Sequence, residues 1–254
     1  MGDAGMGATG RTDDGRGRLG SKLSGAAVAL GCVLFLGGFV WGALIYRPYT
    51  VPTGSMTPTV NAGEKVLAQR VDGSEVRRGD VVVFTDPEWG DMPMVKRVVG
   101  TGGDKIACCD KDGRLTVNGI PIDEPYLKST GRASGEDFTS EVPQGQLFLL
   151  GDDRTVSLDS RVHLEDATHG AVPRDSVQAR VDAVVWPLGS MIGRPEAFAA
   201  LPGGVSSSGP LKLQLTAMGV GMVLILGGAV YGPLAARGTK PKRSARPKAA
   251  AGAR

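Results

Sequence analysis

Histidine is almost missing from this chain: His163 and His169 are the only two in 254 residues, and both fall in the polar stretch 162–170. Imidazole titrates near neutrality without help from its surroundings, so its scarcity points any acid–base chemistry toward another side chain. Cysteine is equally rare. Three cysteines do not make a disulfide framework. Cys32 sits in an apolar run as a packing residue, and the adjacent Cys108 and Cys109 either bridge one another or stay reduced. With no histidine beside them they lack metal-ligand spacing, so no metal and no cofactor are expected. No internal repeat is visible.

Charge is absent from two long runs. Neither 23–46 nor 213–236 holds a single Asp, Glu, Lys or Arg, 24 residues in each case. As a helix each run extends about 36 Å, more than the roughly 30 Å hydrocarbon core of a bilayer. Both read as transmembrane helices, with Trp41, Tyr46 and Tyr231 near their ends where aromatic belts form. A cleavable signal peptide is the other reading of the first run. Against it, the run exceeds the ~7–15 residues of a signal-peptide core, and Tyr46-Arg47-Pro48-Tyr49 follows instead of a small-x-small site. Each run carries a Gly-x-x-x-Gly, Gly38 to Gly42 and Gly228 to Gly232, which allows close helix packing but is also common in spans without it.

The charges that remain set an orientation. The segment before the first run has net charge +1, the segment after the second has seven Lys and Arg with no acid, and the stretch between carries −5. The positive-inside rule then places both termini in the cytoplasm and 47–212 outside. The basic tail 237–254 suits the anionic inner leaflet better than a nucleic acid, so the lipid bilayer is an expected partner and nucleic acid is not. Residues 1–22, Gly-rich and polar, read as disordered.

No long run of helical period occurs between the spans. Short apolar runs broken by Gly, Pro and Asp predict strands at 65–69, 81–84, 94–99, 115–117, 146–150 and 177–186. Asn118-Gly119 between Leu115-Thr116-Val117 and Ile120-Pro121-Ile122 is a two-residue hairpin signal. The polar stretch 128–141 reads as an exposed loop, and 201–212 as a linker to the second span. The expected fold is therefore mainly β: an antiparallel sheet ectodomain over 47–200, flanked by two transmembrane helices.

Chemistry concentrates in three stretches. Pro52-Thr53-Gly54-Ser55-Met56-Thr57-Pro58-Thr59 displays one serine in a turn restrained by two prolines. Most serines in such turns merely bend the chain. In Met94-Val95-Lys96-Arg97-Val98-Val99, strand alternation gives Lys96 apolar neighbours, Met94 and Val98, on its own face. A lysine amine becomes a base near neutrality only where burial destabilises its ammonium form; bringing one to about pH 8 takes about 3 kcal/mol. Serine with lysine is a known variant of the nucleophile-and-base pair. The third stretch, 151–161, is dense in Asp, Ser and Arg. It reads as a hydrogen-bonded turn able to orient the amine and brace it with paired Asp and Arg. There is no Ser-x-x-Lys, so the β-lactamase-like arrangement is excluded.

These stretches, with Arg-Gly-Asp-Val-Val-Val-Phe at 78–84 and Lys-Arg-Val-Val-Gly-Thr-Gly-Gly-Asp at 96–104, resemble the bacterial type I signal peptidases, or leader peptidases, in the same order along 47–186. These are Ser/Lys proteases of the plasma membrane that remove signal peptides from exported preproteins. The resemblance implies Ser55 as nucleophile, Lys96 as general base, and Ser157 as the hydroxyl that bonds the lysine. It implies an oxyanion hole from Thr53 and the Ser55 N–H, Asp159 with Arg161 as a structural pair, and Arg97 as the arginine after the base. It further implies cleavage after a small-x-small site and proximity to the export machinery. Thr53 stands where the family often has serine, and Asp153 and Val156 where it often has asparagine. Residues 105–145 are short for the family's variable second β region, so a mere hairpin and loop is expected there. Soluble self-cleaving Ser/Lys repressors share the pattern without the spans. From a different class, an inactive membrane β-domain serving as an export scaffold fits the same topology.

Overall fold

The computed structural model describes residues 14–129, 131–187 and 189–237, in two compact units divided at Gly42 and Leu211. The chain begins with α1 (Asp14–Ile45) and continues through β1 (Tyr46–Thr50), β2 (Lys65–Gln69), β3 (Val81–Phe84), β4 (Met94–Thr101) and β5 (Lys105–Cys108). Next come β6 (Thr116–Val117), β7 (Ile120–Pro121), β8 (Phe138–Glu141), β9 (Gln146–Leu150), β10 (Ala171–Pro173), β11 (Val177–Trp186) and β12 (Ser190–Met191). A short α2 (Glu196–Ala199) precedes α3 (Leu211–Arg237).

The first unit is the pair α1 and α3. Both are long and apolar enough to cross a membrane, and only 11% and 17% of their apolar windows are buried, which is not the state of a core helix. They run antiparallel with their backbones nearly touching. A Cβ added to Gly31 would lie 2.7 Å from the Gly221 carbonyl, and one on Gly228 would lie 2.7 Å from Val28 Cγ2. Ser24 Oγ donates a 2.7 Å bond to the Gly228 carbonyl. The facing positions repeat at alternating steps of four and three residues, Ser24, Val28, Gly31, Phe35 and Gly38 on α1 against Met218, Gly221, Ile225, Gly228 and Gly232 on α3, the period of a left-handed helix pair. Gly38, Gly228 and Gly232 of the two sequence motifs thus face the partner helix, while the tightest approach, at Gly31 and Gly221, lies outside those motifs.

The second unit is β. One antiparallel sheet has the order β1-β2-β11-β3-β4-β9-β10, with β12 also on β11; a smaller one has the order β7-β6-β5-β8. β3 is Val-Val-Val-Phe, buried along its whole length, as a continuous apolar run in an interior strand must be. Its neighbours β4 and β11 carry register shifts after Val98 and at several points of β11, where bulges twist the sheet. Asn118 and Gly119 both have positive φ, 54° and 79°, which closes the β6–β7 hairpin as the two-residue signal requires. One large apolar cluster joins the sheets through Val99, Ile106, Leu115, Ile122, Phe148 and Leu150.

Four expectations need correction. Residues 14–22 are helical rather than disordered; residues 1–13 and the basic tail from 238 onward lie outside the described residues. Tyr46 opens β1 instead of ending the span, and it is buried with its hydroxyl donating to Asp182 at 2.9 Å. The region 105–145 is a four-stranded sheet rather than a hairpin and loop. Its strands β5 and β8 carry Lys105, Thr139 and Glu141 on exposed positions and the polar Ser140 on a buried one, which mutes the apolar alternation. The expected linker is strapped to the domain: Leu201 and Ser206 are buried, and Arg78 donates to the Pro202 carbonyl at 2.7 Å. Cys108 and Cys109, left open above, are joined to each other.

Asp104 ties these parts together. It receives Arg78 through Nε and Nη2 at 2.7 and 2.5 Å, the Thr101 N–H at 2.7 Å and Asn118 Nδ2 at 2.9 Å. Burial pushes its carboxyl up, but Arg78, Thr101 and Asn118 outweigh that and hold it below the usual carboxylate range. Its stabilising effect is then present above the pKa of an unfolded aspartate and is lost as pH falls through the lower folded value. Asp104→Ala leaves Arg78 buried without a counter-charge. The expected loss is about 3–5 kcal/mol, read as a fall in the unfolding midpoint of the β domain that Asp104→Asn only partly restores.

Candidate active site

Three chain segments converge. The 51–60 turn between β1 and β2 is closed by Val51 N–H to the Glu64 carbonyl and by Val60 N–H to the Met56 carbonyl, both at 2.9 Å. Met56 and Val60 are fully buried, so the turn is anchored by its apolar residues and Ser55 is held next to Met56. β4 lies between β3 and β9. The loop 151–161 leaves β9 and returns across the turn, where Asp153 N–H donates to the Ser55 carbonyl at 3.0 Å. Gly151 makes that crossing possible: any Cβ there would collide with Ser157 Oγ and come within 2.5 Å of the Ser55 carbonyl.

Lys96 Nζ lies 2.8 Å from Ser55 Oγ. The two residues are 5% and 8% exposed. Lys96 pairs with Val82 across β3, and Met94, Val98 and Val82 belong to one apolar cluster, as alternation along the strand predicts. Burial lowers the lysine pKa, opposed by the carboxylates of Asp159 and Asp152 and assisted by the positive Arg161. Thr53, exposed, has its Oγ1 3.5 Å from Ser55 Oγ.

Two ion pairs flank the amine. Asp159 takes Arg161 Nε and Nη2 at 2.8 Å each and the Gly151 N–H at 3.0 Å. Burial alone would raise its carboxyl, but Arg161, Gly151 and the nearby Ser157 hydroxyl hold it below its ordinary range. Arg97, 2% exposed, grips Asp152 through Nε and Nη2 at 2.8 and 2.6 Å, donates to the Gly79 carbonyl at 2.9 Å, and lies 3.9 Å over the Tyr126 ring. Thr59 Oγ1 reaches the same Asp152 at 2.5 Å.

The residues singled out in the sequence therefore gather at one place, with one difference of detail. Ser157 Oγ is buried there but makes no aligned hydrogen bond, to Lys96 or to anything else among the described residues; the expected bond to the lysine is not formed. Asp153, at a departure position, accepts from Lys128 Nζ at 2.8 Å and Thr155 Oγ1 at 2.7 Å, so the loop keeps its bonding without an asparagine. Val156 is exposed. The histidines are engaged elsewhere: His163 bonds Asp166 and stacks on Trp89, and His169 faces the Leu164 carbonyl. Sequence reasoning missed Asp152, Thr59, Tyr126 and Gly151. Asp152 was foreshadowed by the Asp and Arg density of its loop; the others carry no signal short of the fold. No cluster of metal-binding side chains occurs among the described residues.

Residues 23–186 match the family model described as signal peptidase, peptidase S26. Among curated relatives, a signal peptidase I of Bacillus caldolyticus is 37% identical over 159 residues, covering 57% of this chain and 81% of the relative. A signal peptidase IB of Staphylococcus aureus is 34% identical over 176 residues, covering 61% and 86%. A probable signal peptidase I of Mycobacterium leprae is 30% identical over 207 residues, covering 59% and 71%. A crystal structure of an Enterococcus faecalis signal peptidase I, 30% identical, aligns over 41% of this chain and 94% of that one with a TM-score of 0.34, so the assignment rests on the sequence matches. The match takes in α1 and the strands through β11 and stops before α3. On that span of residues the chain belongs to the signal peptidase family, peptidase S26.

Proposed function

We propose that the chain removes N-terminal signal peptides from exported preproteins with Ser55 as nucleophile and Lys96 as general base. The observation that carries this is the 2.8 Å approach of Nζ to Oγ with both groups buried. Neutral Lys96 takes the Ser55 proton as Oγ attacks the scissile carbonyl carbon. The tetrahedral oxyanion is received by the Ser55 N–H and the Thr53 hydroxyl. Collapse expels the new N-terminus of the mature protein, which takes the proton back from Lys96. Water then attacks the acyl-enzyme, giving its proton to the same amine, and Ser55 is restored. Asp159–Arg161 and Asp152–Arg97 brace the two loops; Ser157 provides a hydroxyl within the same buried space.

The substrate binds extended, adding a strand beside the exposed Pro52 and Thr53, with alternate side chains in shallow pockets. A small-x-small preference follows from the family. The two helices are read as spans with both ends in the cytoplasm and the β domain on the outer face of the plasma membrane, close to the export machinery. Charge asymmetry supports that orientation, and the antiparallel pairing of α1 with α3 supports two crossings.

Ser55→Ala and Lys96→Ala are each expected to abolish preprotein cleavage in membranes with the fold retained. Serine-reactive probes should label wild type at Ser55 and leave Lys96→Ala unlabelled; an unlabelled wild type with intact fold would favour the scaffold reading.

Activity is expected to rise with pH and then level, because only the deprotonated amine accepts the serine proton. Burial lets that proton leave below the ordinary lysine range. A profile that loses its ionisation in His163→Ala or His169→Ala would assign the base elsewhere.

Thr53→Val should lower kcat about 10²–10³-fold with little change in KM, while Thr53→Ser retains most activity. Equal kcat in Thr53→Val and wild type would remove the hydroxyl from the oxyanion hole. For topology, external protease on spheroplasts should digest the β domain and spare the basic tail; loss of the tail reverses the orientation.

A further inference from the structure

A second pocket, of about 430 Å³, has no part in the chemistry above. Its wall includes Gln69, Arg77, Arg180 and the serine run before Pro210, with Glu75 as the one acid. Pockets of this size hold small ligands or headgroups. The Arg180 side chain is 6% exposed and donates to Gln69 Oε1 at 2.9 Å, but its Nε has no hydrogen-bond partner. Its nearest carboxylate, Asp182, is 3.7 Å away and already receives Tyr46 at 2.9 Å and Arg194 at 2.8 Å. Arg77 donates to the carbonyls of Ser74 and Val76 at 2.6 and 3.1 Å and forms no ion pair among the described residues. Glu75 is exposed and turns its carboxylate toward the Asp72 N–H. Ser206 Oγ is occupied by Asp80 and Arg194, whereas the exposed Ser207 and Ser208 hydroxyls bond nothing among the described residues.

The pocket wall thus holds Arg77, with no ion pair among the described residues, Arg180, whose carboxylate partner at 3.7 Å is shared with Tyr46 and Arg194, and two exposed hydroxyls that bond nothing among the described residues. A group with several anionic oxygens matches that set; a phosphate engages guanidinium and hydroxyl donors together. The place in the chain narrows its source. Pro210 immediately precedes Leu211, the first residue of α3, and Tyr46, the first residue after α1, pairs with Gln69 in the pocket wall. A Cβ on Gly209 would come within 2.7 Å of the Tyr46 hydroxyl. With α1 and α3 read as spans, the pocket wall at Pro210 is one residue along the chain from the start of α3. The serine run lies beyond residue 186, where the family match ends, while Gln69, Arg77 and Arg180 lie within the matched span.

We propose that this pocket binds the phosphate of an anionic phospholipid headgroup. The proposal rests on reading α1 and α3 as membrane spans, and its test separates the two. Full-length protein is reconstituted with phosphatidylcholine vesicles, alone or with phosphatidylglycerol. Flotation with pure phosphatidylcholine vesicles tests the spans: without it, the span reading and the proposal fall together. With flotation established, phosphatidylglycerol should raise the unfolding temperature of the wild-type β domain saturably. Arg77→Gln should need about tenfold more of the lipid for the same rise. Inorganic phosphate and glycerol 3-phosphate at equal concentration should give no rise. The double variant Ser207→Ala/Ser208→Ala removes only exposed hydroxyls and should weaken the response in the same direction, which keeps the test intact if Arg77→Gln folds poorly. The basic tail is present in every variant, so its attraction to the lipid cancels. Identical lipid responses in wild type and both variants overturn the proposal; an equal response to inorganic phosphate overturns the lipid as its source.

Discussion

Under the proposed chemistry, the amine of Lys96 has to lose its proton in the company of two carboxylates. That constraint organises the centre of the β domain. Burial favours the neutral form of Lys96, while Asp159 and Asp152 favour the ammonium, and an unpaired carboxylate in a low-dielectric interior acts strongly on a nearby cation. Each acid is therefore clamped by its own guanidinium, Asp159 by Arg161 and Asp152 by Arg97. What the lysine meets is the residual field of two ion pairs rather than two free charges. Buried pairs of this kind add little net stability. Their place here follows from electrostatics: a neighbouring acid that is already satisfied cannot hold the lysine proton as firmly.

The same pairs set positions. Arg97 follows Lys96 on β4, so its side chain points to the opposite face of the strand. From there it fastens Asp152, and through it Thr59, which flanks the serine turn. Asp152 and Asp153 are consecutive: one is gripped by Arg97 and the other donates its N–H to the Ser55 carbonyl. The Nζ to Oγ distance is thus held by a closed circuit of β4, the 151–161 loop and the serine turn. Gly151 lets the circuit close, since any side chain there strikes Ser157 and the Ser55 backbone. Side chains placed on a strand and two cross-tied loops keep their mutual geometry because each is locked by contacts to the others.

Much of this was legible in the residues. Continuous or alternating apolar runs marked β2, β3, β9 and β11 at their observed limits, because each strand carries several buried apolar residues along its length. β5, β8 and β10 escaped: each is short, and polar residues or a proline occupy its solvent face, so tertiary pairing decides what local pattern does not. Lys96 was legible because its same-face neighbours are apolar; the density of Asp, Ser and Arg in 151–161 pointed to a braced turn, and the specific pair Asp159 with Arg161 was implied by the family resemblance. Tyr126 was not, since its ring meets Arg97 only after the chain has passed through β5, β6 and β7. The Ser157 bond to the lysine was a family inference, and the observed hydroxyl makes no aligned hydrogen bond to Lys96 among the described residues. Gly31 and Gly221 were hidden for a different reason: helix pairing depends on which face turns inward, and a four-residue glycine spacing does not report that.

The part of the chain beyond the family match is not an appendage. β12 pairs with β11, Phe198 of α2 is fully buried in the cluster that joins the two sheets, and Ser206 bonds Asp80. Leu211, where α3 begins, packs in one small apolar cluster with Tyr46 and Ala183, and Ile45, where α1 ends, lies against it. Within the β domain, Ile45, Tyr46 and Leu211, the residues that adjoin the two helices along the chain, therefore share one apolar cluster, and the segment 190–211 belongs to the packing of the domain rather than forming a loose tether.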